Sequence, residues 1–225
     1  DTNFNSGSAN TDPLKCVPRI GVTNYHDERA KTLFDGVVLP ALPLNLTRAD
    51  CDADIGRALD ALFMHQSAPP FISRQLIQRF VTSNPSPAYV ERISQVFVNN
   101  GGGVRGDLRA VLRAILLDPE ARTASDSPNY GKLREPVLRL SAIWRAFNLM
   151  APDPQSTGQQ PMGMRNFNVN WGQQPLSSPT VFNFYEPEYK HPGEIGNADL
   201  DSPEFQILDE STIARMSNDI WTRTY

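Results

Sequence analysis

Apolar residues recur at helical spacing through the middle of the chain. Five segments between residues 50 and 147 place apolar side chains three or four positions apart, the spacing of one face of an α-helix. They start near Asp50, Phe71, Pro87, Leu108 and Arg134. Short connections rich in Pro, Gly, Asn and Ser separate them, and strands do not alternate with the helices. The pattern predicts a mainly α fold, arranged as an irregular helical bundle.

The helix predicted over residues 71–82 is the centre of this bundle. At 100° per residue, one side of it is apolar and a narrow strip on the other side is polar, with Arg79 at the border. The apolar side consists of Ile72, Leu76, Ile77, Phe80 and Val81, and the polar strip of Arg74, Gln75, Gln78 and Thr82. We expect the apolar side to be buried and the two arginines to hold a covering segment through carboxylate or carbonyl pairs.

The neighbouring helices have apolar faces and end signals of their own. The first ends near His65, the third begins at Pro87 and stops at the Asn- and Gly-rich residues 99–103, and Asp107 caps the fourth. The faces expected to be buried are Ile55, Ala58, Leu59, Leu62 and Phe63 in the first helix, and Tyr89, Val90, Ile93, Val96 and Phe97 in the third.

The pattern changes after Met150. Residues 151–175 are rich in Pro, Gly, Gln and Asn, without helical periodicity and longer than an ordinary connection. Aromatic side chains are frequent from there onward, namely Phe167, Trp171, Phe182, Phe184, Tyr185 and Tyr189. We therefore expect a long proline- and aromatic-rich segment that packs over the bundle, followed by a last helix over residues 203–221. The aromatic side chains could alternatively form a sugar-stacking or protein-binding surface.

The N-terminal residues have a different composition. Residues 1–24 are rich in Asn, Ser, Thr, Asp and Gly and are expected to form an extended arm, with residues 25–225 as a single α-helical domain. The chain begins at Asp1 without a signal peptide, so we expect a processed product or a piece of a longer protein. Cys16 and Cys51 are compatible with one disulfide, which would require an oxidising compartment, or with two unrelated free thiols.

The charge and hydropathy of the chain argue against two classes of partner. The formal net charge of −4 gives no sign of the basic patch that nucleic-acid binding requires. No run of about 18 apolar residues occurs, so no transmembrane segment is expected.

Five segments together carry a family resemblance, namely LDALFMHQSAPPFISRQLIQRFVTSNPSPAYVERI, GVRGDLRAVLRAILLDPEAR, GKLREPVLRLSAIWRAF, PLSSPTVFNFYEPEY and PEFQILDEST. In order and wording they resemble the C-terminal half of DUF1800, a bacterial protein family of unknown function. Members of this family are typically longer and carry export signals. The resemblance therefore implies an exported protein, located in the periplasm, at the cell surface or outside the cell.

The resemblance also implies partners. The family's N-terminal helical half is expected to be the missing part of the same precursor. Family members often accompany a second exported family that resembles sulfatases and alkaline phosphatases, and such a protein is a candidate partner. The family name brings no catalytic mechanism with it.

The candidate chemistry is sparse. The three histidines show no H-E-x-x-H pattern and the two cysteines no Cys-x-x-Cys pattern, so neither a metal nor a cofactor is expected. The acids available to a two-carboxylate hydrolase are Asp107, Glu135, Glu186, Glu188 and Glu210. The charges at residues 132–136 suggest a local salt-bridge cluster, with anion binding at the helix start as the alternative. The candidate binding residues are His65, Arg74, Arg79, Trp171, Asn183 and Tyr185, and no catalytic residue is assigned.

These observations favour an exported binding or structural subunit of a cell-surface or extracellular bacterial assembly. An exported hydrolase acting on a polysaccharide or an ester is the alternative, so the sequence leaves open whether the protein is an enzyme. Two acids converging in a deep pocket would favour the hydrolase, whereas aromatic side chains that are buried or face another chain would favour the subunit.

Overall fold

The computed structural model describes residues 26–123, 127, 129–147, 167–174 and 176–224. Within these residues helices dominate, which confirms the predicted mainly α fold. The helices are α1 (Arg48–Met64), α2 (Ala68–Phe80), α3 (Pro87–Val98), α4 (Leu108–Leu117), α5 (Pro119–Arg122), α6 (Pro136–Ala146), α7 (Phe167–Trp171), α8 (Glu194–Asn197) and α9 (Glu210–Thr224). Two short strands, β1 (Lys31–Thr32) and β2 (Val38–Leu39), form an antiparallel pair. None of the described helices is long and apolar enough to cross a bilayer.

Contacts within the chain group it into two compact units, which divide between Ala68 and Pro69. The single domain over residues 25–225 stays a prediction. The predicted arm over residues 1–24, and most of the predicted covering segment between residues 151 and 175, lie outside the described residues.

In the first unit, α1 begins at a capping box and buries a carboxylate. The Thr47 hydroxyl accepts a hydrogen bond from the Asp50 amide, and the Asp50 carboxylate accepts one from the Thr47 amide. One turn later, Asp54 is buried, and its Oδ2 lies 2.9 Å from His26 Nε2 and 2.8 Å from Lys31 Nζ. The first-turn Asp50 and the cation-paired Asp54 are thus both stabilised in their charged form.

The predicted burial of the α1 apolar face is wrong. Four of its five members are exposed by 41–59 %, namely Ile55, Leu59, Leu62 and Phe63. The buried side chains of α1 are instead Cys51 and Asp54, because β1 supplies Lys31 as a counter-ion on that face. Periodicity identifies an apolar face but does not determine which face of a helix is packed.

The main core of the second unit forms between α2, α3 and α4. Its buried members are Ile77, Tyr89, Ile93, Phe97, Val111 and Ile115. Ser86 caps α3 by accepting a hydrogen bond from the Tyr89 amide, and Asp107 caps α4 through the Arg109 and Ala110 amides. The Tyr89 hydroxyl donates to the carbonyl of Ile115 at 2.7 Å. The predicted inward positions of α3 and the predicted cap of α4 are therefore confirmed.

A second apolar cluster joins α6, α7 and α9. It consists of Leu140, Trp171, Leu208 and Met216. The predicted last helix over residues 203–221 is wrong, because the chain forms a short 3-10 helix (Pro203–Gln206) and then starts α9 separately at Glu210. Asp209 causes the new start, since its carboxylate accepts a hydrogen bond from the Thr212 amide at 2.7 Å.

The predicted polar strip of α2 is also partly wrong. Gln78 and Thr82 are buried, whereas Phe80 is 54 % exposed. Gln78 Nε2 donates to the carbonyl of Ser83 at 3.0 Å, and the Thr82 hydroxyl exchanges hydrogen bonds with the backbone of Gly131. These polar groups face inward because the backbone beyond α2 and the segment before α6 supply their partners.

A partly buried lysine holds the end of α2. Lys132 Nζ donates to the carbonyls of Gln78 and Arg79 at 3.0 and 2.9 Å and pairs with Glu204 Oε1 at 2.9 Å. The side chains of Lys132 and Glu204 are only 13 % and 2 % exposed. The expected local salt-bridge cluster at residues 132–136 is therefore wrong, because the partner of Lys132 comes from a segment 72 positions away along the chain, from 132 to 204.

A second ionic contact ties α2 to the same distant segment. Arg74 Nη2 donates to Asp201 Oδ2 at 2.9 Å, and Asp201 is 7 % exposed. Asn84 exchanges hydrogen bonds with the backbone of Asp201, one in each direction and each 2.9 Å long. Arg74 thus holds the segment around residue 201 against α2.

Replacement of Asp118 by Asn should destabilise the second unit in a pH-dependent way. Arg92 Nε and Nη2 each donate to one oxygen of Asp118 at 2.8 Å, and these bonds hold the pKa of the buried carboxyl below its usual value. Because the folded-state pKa is lowered, the stabilisation is fully present above the unfolded pKa of about 4 and is lost as the pH falls through the folded value. Urea unfolding at pH 7 should show a loss of about 1–3 kcal/mol for Asp118→Asn.

The matched control is Asp199→Asn, since the Asp199 side chain is 88 % exposed and pairs with Lys190 at the surface. It should unfold at the wild-type urea concentration. A difference between wild type and Asp118→Asn that does not shrink from pH 7 to pH 3 would contradict the assigned pairing.

Replacement of Lys132 by Met should cost about 3–5 kcal/mol, because it leaves Glu204 charged, buried and without its cation. Adding Glu204→Gln to this variant removes the unpaired charge and should restore part of the loss. Urea unfolding of wild type, both single variants and the double variant measures the coupling. If the two single losses simply add in the double variant, Lys132 and Glu204 do not stabilise one another.

Candidate binding groove

A groove of about 710 Å³ opens in the second unit between α2 and the turn at residues 180–183. Its lining residues are Phe71, Gln75, Arg79, Val181, Phe182, Asn183, Glu186, Pro187 and Glu188, and we call it the Phe182 groove. Three of its apolar side chains are unusually exposed, with 60 % for Phe71, 96 % for Val181 and 56 % for Phe182. The groove is therefore an apolar surface with a few polar groups around it, as binding sites commonly are.

One face of α2 forms one wall of the groove. Phe71, Gln75 and Arg79 follow one another at intervals of four residues, which aligns them along the helix. Of these three residues, the sequence identified only Arg79 as a candidate, and Phe71 and Gln75 were missed. The spacing of four between these three residues is the signal that could have found them.

A tight turn forms the opposite wall. The Asn183 amide donates to the carbonyl of Thr180 at 3.2 Å, and the Phe182 amide donates to the Thr180 hydroxyl at 3.1 Å. Asn183 has a φ of 72°, a left-handed conformation that asparagine adopts more readily than most residues. The turn holds Val181 and Phe182 at its tip, where both side chains reach solvent.

Arg79 packs against an aromatic ring at the groove. Its guanidinium carbon lies 4.5 Å from the centre of the Tyr185 ring, a cation–π contact. The Tyr185 hydroxyl donates to Glu135 Oε1 at 2.6 Å, and Gln173 Nε2 donates to Glu135 Oε2 at 2.6 Å. Burial, followed by the hydrogen bond to Glu135, raises the pKa of Tyr185 above its usual range, so the phenol stays protonated and remains a donor.

One nitrogen of Arg79 lacks an acceptor within the described part of the chain. Its Nη1 is buried and has no hydrogen-bond partner there, and no described carboxylate forms an ion pair with the guanidinium. A buried N–H group without an acceptor is costly, and the guanidinium to which this nitrogen belongs lines the groove with its charge unpaired among the described residues.

The structure brings together three of the six candidate binding residues. Arg79 and Asn183 line the Phe182 groove, and Tyr185 lies beneath Arg79 with 2 % exposure. Arg74 binds Asp201 instead. Trp171 is completely buried and its indole nitrogen donates to Asp219 Oδ2 at 2.8 Å.

The sixth candidate, His65, belongs to the first unit. It is the C-terminal cap of α1, and its Nε2 lies 2.7 Å from Asp35 Oδ2. Its Nδ1 accepts a hydrogen bond from the Ser67 amide at 3.1 Å, and its ring meets Phe34 edge to face. In the same unit, Cys51 is buried and pairs with no described cysteine, while Cys16 lies outside the described residues, so the disulfide stays a prediction.

Two of the five candidate acids lie in the groove. Glu186 and Glu188 both line it and both are exposed. The other three have structural contacts, since Asp107 caps α4, Glu135 accepts from Tyr185, and Glu210 begins α9. Among the described residues, no group of three or more His, Cys, Asp or Glu side chains has the arrangement of a metal site.

Comparisons with known proteins place the chain in a family without assigning it an activity. Neither a search of curated proteins nor a search of solved structures found a significant match. The model of a family described as "Protein of unknown function (DUF1800)" matches residues 7–223, which is almost the whole chain. The chain therefore belongs to the DUF1800 family.

Proposed function

We propose that this protein is an exported bacterial binding subunit of a cell-surface or extracellular assembly, and that the Phe182 groove binds an apolar segment of another polypeptide chain. The convergence of Phe71, Val181 and Phe182 in one groove supports this proposal most directly. Scattered exposed apolar residues are ordinary, but a cluster of them bordered by polar groups is typical of an interaction site.

The energetics favour a specific contact at this groove. Full burial of a phenylalanine or valine side chain stabilises a complex by about 1.5–3 kcal/mol. Three such side chains together therefore offset a substantial part of the entropy lost on association. The hydrogen bonds of the turn already hold the backbone of Phe182, so binding costs little additional backbone entropy there.

A polypeptide segment is the occupant that fits the polar groups of the groove. The side-chain amides of Gln75 and Asn183 each offer both a donor and an acceptor, which is what an extended backbone needs. The two sources of such a segment that the family resemblance suggests are a sulfatase-like exported protein and the N-terminal part of the same precursor.

The alternative is an exported hydrolase acting on a polysaccharide or an ester. It is supported by Glu186 and Glu188, which line the same groove. Both carboxylates are exposed, however, whereas the general acid of such a pair needs an environment that disfavours its charged form. The subunit proposal is therefore the one that the geometry favours.

Native mass spectrometry of the protein isolated from its host tests the subunit proposal. Wild type should appear in a complex with a second polypeptide, heavier than its own polypeptide chain alone. The double variant Phe71→Ser and Phe182→Ser should lose the partner, because it removes apolar area from both walls of the groove.

The control is Leu116→Ser with Leu117→Ser, which removes two apolar side chains of 52 % and 50 % exposure from α4. This variant should keep the partner. Wild type without a second polypeptide, or equal loss of the partner in both double variants, would contradict the proposal.

The hydrolase alternative predicts a different result for the groove acids. Glu186→Gln and Glu188→Gln should each abolish hydrolysis of a polysaccharide or an ester if they form a catalytic pair, with losses of about 100-fold or more. Release of reducing ends or of the alcohol product measures this. Wild type that releases neither from a broad substrate panel speaks against the alternative.

A further inference from the structure

We infer that Arg79 recognises a single carboxylate, so that the groove selects partner segments in which one acidic group lies beside a large apolar side chain. This inference rests on the proposed function and names the chemistry of the segment. Its starting point is the Arg79 guanidinium, which belongs to the lining of the groove, forms no ion pair with a described carboxylate and has no acceptor for its buried Nη1 in the described part of the chain.

Contacts hold both the backbone and the side chain of Arg79. At the backbone, its carbonyl accepts a hydrogen bond from Lys132 Nζ at 2.9 Å. At the side chain, the guanidinium stacks 4.5 Å from the centre of the Tyr185 ring, and Tyr185 is itself held by Glu135. A donor that is already ordered loses little conformational freedom when it binds, which increases affinity.

A carboxylate is the acceptor that this arrangement fits best. The planar guanidinium presents parallel N–H groups that match the two oxygens of a carboxylate, and such charge-assisted bonds are stronger than those to a neutral carbonyl. No described carboxylate neutralises Arg79, so an entering anion would complete an ion pair in a partly buried site. The apolar walls at Phe71 and Phe182 then hold the neighbouring apolar side chain.

The rim of the groove limits the number of acids to one. Two acidic residues, Glu186 and Glu188, are exposed at the same groove. These carboxylates would repel a second acid on the segment or a phosphate dianion. The two carboxylates at the rim therefore disfavour segments with consecutive acidic residues. A basic residue further along the segment would form an ion pair with one of them.

Selection from a peptide library tests this inference. Seven-residue segments with a fixed central Phe and random flanking positions, displayed on phage, are selected on the purified chain. The groove-deficient variant Phe71→Ser with Phe182→Ser serves as the reference. We expect wild type to enrich segments with one Asp or Glu within two residues of the Phe, and the reference variant to enrich none.

The ratio of the affinities for an acidic peptide and its matched amide version then tests the role of Arg79. For a selected peptide and its Asp→Asn or Glu→Gln version, wild type should bind the acidic form about tenfold more tightly or better. Arg79→Gln should bring this ratio close to one, and Arg79→Lys should leave it between the two values. Glu186→Gln with Glu188→Gln should keep the preference and additionally accept segments with two acids.

The outcomes distinguish the role of Arg79 from the proposed binding of a peptide in the groove. If wild type enriches apolar segments but binds the acidic and amide peptides equally, the role of Arg79 is overturned and the apolar groove remains. If wild type selects no segment beyond the groove-deficient reference, both the carboxylate recognition and the proposed peptide binding are overturned. The comparison of acidic and amide peptides on wild type decides the question even if Arg79→Gln does not fold.

Discussion

Lys132 connects the three parts of the second unit that support the groove. At the end of α2, the carbonyls of Gln78 and Arg79 lack the amide donors that a continuing helix would supply. The Lys132 ammonium donates to both of them and pairs with Glu204 on the 3-10 helix. The end of α2, the segment before α6 and the chain near residue 204 therefore meet at one nitrogen atom, and the position of Arg79 follows from it.

Polar contacts help to hold residues 185–204 in place, and they leave the apolar side chains of the groove exposed. Asp201 binds Arg74, Glu204 binds Lys132, and Tyr185 reaches Glu135. Burying these charges is costly in itself, so such contacts define one arrangement of the chain more than they add stability. Because the segment does not depend on Phe182 or Val181 for its attachment, these side chains remain available to another molecule.

Local signals predicted the starts of the helices well, whereas the errors come from hydrogen-bond partners outside a helix and from a competing local cap. The start of α3 at Pro87 and the cap of α4 at Asp107 follow from nearby residues and were predicted. The break before α9 and the inward position of Gln78 depend on groups elsewhere in the chain or on a competing local cap. Sequence periodicity cannot reveal such partners, since it describes each element alone.

The candidate site could likewise be predicted only in part. Arg79, Asn183 and Tyr185 were named from residue type and position, and they lie together around one groove. Tyr185 donates to Glu135, and Gln173 donates to the same carboxylate. Neither role could be assigned from the sequence, because Glu135 and Gln173 lie 50 and 12 positions away from Tyr185 along the chain. By contrast, the i, i+4, i+8 alignment of Phe71, Gln75 and Arg79 is readable in the sequence.

The central claim is that another polypeptide occupies the Phe182 groove. Site-specific photo-crosslinking in the host cells tests it most directly, with benzoylphenylalanine at position 182 and, as a control, at the exposed position 116 of α4. We predict one discrete polypeptide adduct at position 182, crosslinked within a segment that carries an apolar residue beside one acid. The absence of an adduct at position 182, or the same adducts at both positions, would contradict the account.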